Sequence, residues 1–190
     1  MARNALFALA LAAAASQAHA ANEPALAGIT LRERPQLDEC PERQRSYLAD
    51  DRTTCFELPS GPAPSGEAAS IPANGRIMVN VALADRPSFM QGGDAMVTLR
   101  DGRVQSVAVR THGAGQDSAD LRALEDRFGR TSPRYLSTAQ RFESYSNIRA
   151  DWRLDGAVTV YFSSTELGRY SGIVRMQTPE APPHQVGQFD

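Results

Sequence analysis

DAMVTLRDGRVQSVAVRT, residues 94–111, sets Asp101-Gly102 between two runs rich in β-branched residues. Both turn positions tolerate positive φ, so the pair predicts a short β-hairpin. Directly after it the period changes. In DSADLRALEDRFGRTSP, residues 117–133, Leu121, Leu124 and Phe128 recur at helical spacing behind the capping candidates Asp117 and Ser118. Gly129, with Pro133 beyond it, supplies the stop signal. The segment predicts one amphipathic helix of about three turns. A helix with one apolar stripe must bury it, and the partner on offer is one face of an antiparallel sheet. The fold class expected is therefore α+β.

Strands continue on both sides of this unit. Upstream, GRIMVNVALA places Ile77, Val79, Val81 and Leu83 at period two, the pattern of a strand with one buried face. Downstream, the polar stretch from Arg134 to Asn147 predicts a loop. RADWRLDGAVTVYFSS then repeats the hairpin arrangement around Asp155-Gly156, and SGIVRMQTP supplies a last strand near Ile173–Thr178. The expectation is about six strands in two three-stranded sets around one packed helix. The two DG turns, each followed by a β-branched run, raise internal duplication as one reading and convergence of hairpin chemistry as the other.

Farther out, the two cysteines of the chain, Cys40 and Cys55, bound the polar segment ECPERQRSYLADDRTTC. No second Cys or any His lies within it to complete a zinc site, and no Cys-x-x-Cys redox motif is present. One disulfide is expected, provided the chain reaches an oxidising compartment. Residues 1–20 support that condition: MARN carries one Arg, ALFALALAAAA is apolar, and SQAHA ends in an Ala-x-Ala site, the three parts of a secretory signal peptide. The apolar run falls short of the roughly 20 residues of a membrane span. The expected product is a free periplasmic or secreted protein. Its layout is a stapled N-terminal module at residues 21–58, a Pro/Gly/Ser-rich linker at 59–75, an α+β core domain at 76–178 and a flexible tail at 179–190.

Charge excludes little but favours nothing global. The formal net charge is −2, so neither nucleic acid nor an anionic membrane is an expected partner. Every basic residue is Arg and none is Lys; a spread along the chain reads as coding bias rather than as a phosphate-binding cluster.

Chemistry-bearing motifs are sparse. No G-x-S-x-G, H-E-x-x-H or P-loop pattern occurs, and no cofactor or metal is called for. MQGGDA leads into a strand rather than a helix and reads as a turn. Of the histidines, His112 alone lies in the core region, at a strand end where general bases are found, although a solvated loop His is the ordinary case. The carboxylate pairs Asp50-Asp51 and Glu125-Asp126 are candidates for glycosidase-type chemistry by residue type only. Trp152 reads as a core anchor. The stretch after the helix interleaves Tyr135, Phe142 and Tyr145 with Arg134, Arg141 and Arg149, a composition able to hold a partner by stacking and charge.

LRALEDRFGRTSP, Trp152, VTVYF and GIVRM together resemble the helix-plus-meander of small bacterial envelope proteins such as the outer-membrane assembly lipoprotein BamE and the β-lactamase inhibitor protein. The resemblance covers about a third of the chain, and the lipid-attachment Cys of BamE is lacking. The ECP segment, the second Cys and the FG-x-x-x-P helix end are also similar to exported proteobacterial proteins of uncharacterised function. Fold likeness implies no activity. The function expected is a non-catalytic envelope module of binding or inhibitor type with a periplasmic or envelope protein as partner. The alternative is a hydrolase of wall or envelope material using His112 or acidic residues.

Overall fold

In the computed structural model, residues 24–41, 52–59, 70–140 and 143–182 are described. Asp101 (φ 53°) and Gly102 (φ 71°) both take the left-handed region and join β5 (Asp94–Arg100) to β6 (Arg103–Thr111), with Arg100 opposite Arg103. That is the two-residue turn whose twist matches flanking strands. One step along, Leu99 pairs with Val104 but Thr98 pairs with Ser106, so Gln105 is an extra residue, a bulge in β6.

The helix α1 spans Asp117–Phe128. Gln116 occupies the position before it and makes no side-chain cap, while Asp117 and Asp120 lie in the first turn, where the helix dipole favours acids. At the other end Gly129 (φ 90°) donates its N–H to Glu125 O at 2.8 Å.

The sheet corrects the expected strand count. Instead of about six strands in two three-stranded sets, one antiparallel sheet of eight strands is formed, in the order β3-β4-β5-β6-β10-β9-β8-β7. The additional members are β3 (Cys55–Glu57) and β7 (Arg134–Gln140); the others are β4 (Gly75–Asn80), β8 (Glu143–Arg153), β9 (Thr159–Ser163) and β10 (Gly172–Gln177). Two four-stranded meanders, each running in chain order, thus meet at β6 and β10 with α1 in the connection between them. The stretch expected to be a loop is strand because β7 pairs through its backbone at a sheet edge, where no alternating apolar face is required. The two DG turns fall at non-equivalent places, between β5 and β6 and between β8 and β9. A separate two-stranded ribbon, β1 (Ala25–Leu26) and β2 (Ile29–Thr30), precedes the sheet.

Register shows why the sheet is continuous. Phe56, Val79, Ala95, Val109, Val174, Phe162 and Ala150 are successive cross-strand partners from β3 to β8, and all are buried. A second row, Ile77, Val97, Val107, Met176, Val160 and Trp152, runs beside it on the same face. Leu121 and Leu124 of α1 and Leu26, Ile29 and Leu31 of the N-terminal segment join this core. Each such side chain contributes about 1.5–3 kcal/mol by burial. Trp152 anchors the helix end: its ring packs on Phe128 at 6.0 Å and its Nε1–H donates to Gly129 O at 2.6 Å.

Cys40 and Cys55 form the disulfide, with Cα atoms 4.9 Å apart. Cys55 opens β3, and the bridge lays residues 38–40 along the outer side of that strand. Phe56 N–H donates to Asp38 O and Cys40 N–H to Phe56 O, both at 2.9 Å. No helix among the described residues is long and apolar enough to cross a membrane.

Candidate functional site

The two edges of the eight-stranded sheet are unlike. The β3 edge is covered by the stapled segment, through the parallel bridge between Glu39 and Phe56. The β7 edge pairs with β8 on one side, in an unbroken register from Arg134 opposite Arg149 to Gln140 opposite Glu143, and among the described residues no strand pairs with its other side. Natural sheets usually blunt such an edge with Lys, Pro, a bulge or a covering segment. RYLSTAQ has no Lys, Pro or bulge and a single charged residue, Arg134, no described segment covers it, and it displays Tyr135 at 66% and Leu136 at 40% exposure.

Three of the residues expected to form a partner surface are gathered here. Arg134 and Arg149 are direct cross-strand partners, and Tyr135 is opposite the buried Ile148. Like charges placed opposite repel. Arg134 turns instead to Asp151, with Nη2 to Oδ2 at 3.0 Å between two exposed side chains. The backbone of Tyr145 belongs to β8 opposite Thr138, but its side chain is outside the described residues, as are Arg141 and Phe142. Leu136 carries no sequence signal, because one apolar residue in a polar run has no period.

A second constellation forms where β6 meets α1. His112 Nδ1 lies 2.9 Å from Asp120 Oδ1, and the His112 backbone N–H donates to Asp120 Oδ2, also at 2.9 Å. Asp120 is 2% exposed, against 25% for the His112 side chain. Burial raises the Asp120 pKa above the carboxylate value of 3.8, while the bonds and charge of His112 pull it down. With Nδ1–H donating to the carboxylate, Nε2 is left as the basic nitrogen, the orientation of a general base. A cavity of about 460 Å³ opens beside it, lined by His112, Gln116, Asp117, Ser146, Arg169 and Tyr170. Ser146 of β8 shares this wall without a hydrogen bond to His112. Asp120 was readable only indirectly: it stands four residues before Leu124, so an acid at this position lies on the apolar stripe.

The remaining candidates are dispersed. Glu125 Oε1 accepts the Thr131 N–H at 3.3 Å, which ties the helix end to the following loop, and Asp126 is exposed. Asp50 and Asp51 lie outside the described residues. The MQGGDA stretch is a turn into β5, with Gly93 O accepting the Val81 N–H at 2.8 Å.

No protein-family model, curated protein or solved structure matches the chain. The likeness to proteins of the BamE and β-lactamase-inhibitor type therefore rests on the sequence segments that suggested it.

Proposed function

We propose that this protein is a non-catalytic module of the bacterial cell envelope, periplasmic or secreted, of binding or inhibitor type, and that it takes an extended segment of a protein partner along β7. The observation that carries the reading is the contrast between a β3 edge closed by the stapled segment and a β7 edge that no other described strand pairs with, with Tyr135 and Leu136 on display. An added strand satisfies main-chain donors and acceptors at such an edge, and alternate side chains supply selectivity. Tyr135 offers apolar contact, while Arg134 and Arg149 favour an acidic residue in the incoming segment. The N-terminal charged, apolar and Ala-x-Ala pattern supports export, and the disulfide suits that compartment.

The test is capture from crosslinked cells by wild-type protein beside the Tyr135→Lys/Leu136→Lys double variant. Both positions are exposed, so the fold should persist. A partner recovered by the wild type and lost with the variant supports the reading; equal recovery of the same partner, or of none, counts against it.

A second reading, a hydrolase of wall or envelope material, draws on the His112–Asp120 pair and its adjoining cavity. In that case the imidazole would act as general base, held by the buried carboxylate. Turnover on a panel of wall and envelope substrates, abolished by His112→Ala, would favour it over the binding module.

A further inference from the structure

The sheet face turned away from α1 carries its own site. Register puts Met96, Ala108, Arg175 and Tyr161 in one cross-strand row on this face, with Arg76, Thr98 and Ser106 in the row beside it. The bulge residue Gln105 then fixes what covers them. Its carbonyl accepts the Thr178 N–H at 2.9 Å, and its side-chain Oε1 accepts the Thr178 hydroxyl at 2.8 Å. Held at Thr178, the chain leaving β10 brings Glu180 and Pro182 over the sheet to wall a cavity of about 620 Å³. That volume falls within the range of roughly 300–1,000 Å³ typical of ligand pockets.

Arg175 lines this cavity from the middle of the sheet. It is 6% exposed, and among the described residues its Nε has no hydrogen-bond partner. Burial pulls the guanidinium below its ordinary pKa; Glu166, which accepts the Tyr161 hydroxyl at 2.8 Å, favours its charge, and Arg76 opposes it. A buried donor without an acceptor is costly, and an apolar side chain of similar volume would serve packing better. The other lining groups divide into cations at the mouth, Arg76 and Arg100, and apolar surface from Met96 and Ala108. Glu180 already places a carboxyl at that mouth. Its pKa is held down by its own backbone N–H, then by the Thr178 hydroxyl and by Arg32 and Arg100.

We propose that this cavity binds an organic oxyanion, a carboxylate or phosphate headgroup on a short apolar body, with the Arg175 guanidinium as its innermost donor. Arg76 and Arg100 draw the headgroup in, and Met96 and Ala108 receive the body. A planar guanidinium fork suits either headgroup. The site lies away from the β7 edge and does not depend on the partner-binding reading.

Calorimetric titration of the purified protein with octanoate, octyl phosphate and neutral octanol tests it, repeated on Arg175→Met and Arg76→Gln. One or both anions should bind at a single site, with octanol weaker by about tenfold or more. The preferred anion identifies the headgroup. Arg175→Met should weaken the anion by about tenfold or more with thermal stability equal to or above wild type, and Arg76→Gln, at the exposed rim, should weaken it severalfold. Absence of anion binding, octanol binding as tightly, or undiminished binding by both variants would overturn the proposal. A marked loss of thermal stability in Arg175→Met would assign the guanidinium to the fold and overturn its role as the donor.

Discussion

Asp120 combines two duties that pull its proton in opposite directions. Burial favours the protonated form, whereas the His112 ring and backbone N–H favour the carboxylate, and burial is the larger effect. Because the folded-state pKa is raised, the native protein binds this proton more tightly than the unfolded chain does. Stability from this group is therefore highest below pH 3.8 and declines as pH rises through the raised value. Asp120→Asn keeps an acceptor for the His112 N–H and should flatten that part of the stability profile, as measured by urea unfolding at closely spaced pH values; an unchanged slope would remove the linkage. Within the core, Phe162 is fully buried between Val174 and Ala150 in the cross-strand row. Phe162→Ala should cost about 3–5 kcal/mol in the same measurement. A loss below about 1 kcal/mol would be inconsistent with a continuous core row.

At the scale of the element, the disulfide does more than shorten the unfolded chain. It presses residues 38–40 against β3 and so closes one sheet edge. Replacing both Cys40 and Cys55 by Ser should cost about 3 kcal/mol from loop closure. It should also speed hydrogen exchange at the Phe56 and Cys40-position amides, while central β6 amides keep their protection; equal loss across the sheet would show that the staple acts globally. This element was legible beforehand because elimination sufficed: two cysteines, no metal partners and an export pattern. The strand from Ile77 to Val81 and the helix carrying Leu121 and Leu124 were legible for a different reason, since burial on one face imposes a period. β7 leaves no such trace. Its residues meet the core through Ile148 across the ladder rather than by an apolar stripe of their own, so RYLSTAQ read as loop. The Tyr135 and Arg134 composition pointed to the stretch that forms this edge strand, whereas the His112 partner Asp120 was hidden among acids that a helix N-terminus attracts anyway.

The whole molecule is organised by an asymmetry. Two four-stranded meanders meet at β6 and β10, one ends under a disulfide-held cover, and the other ends in a strand that no other described strand covers. One face of the joint sheet is filled by α1 and the N-terminal segment, and the opposite face carries the Arg175 cavity beneath the C-terminal segment. Both proposed sites, the β7 edge and the Arg175 cavity, lie outside the shared core that holds the two halves in register. The direct test of this arrangement is site-specific photocrosslinking in intact cells, with the probe at Leu136 on the open edge or at Asp38 on the covered one. The expected result is a discrete envelope-protein adduct from position 136 and none from position 38. Adducts from position 38 alone, equal adducts from both, or none from position 136 would contradict the account.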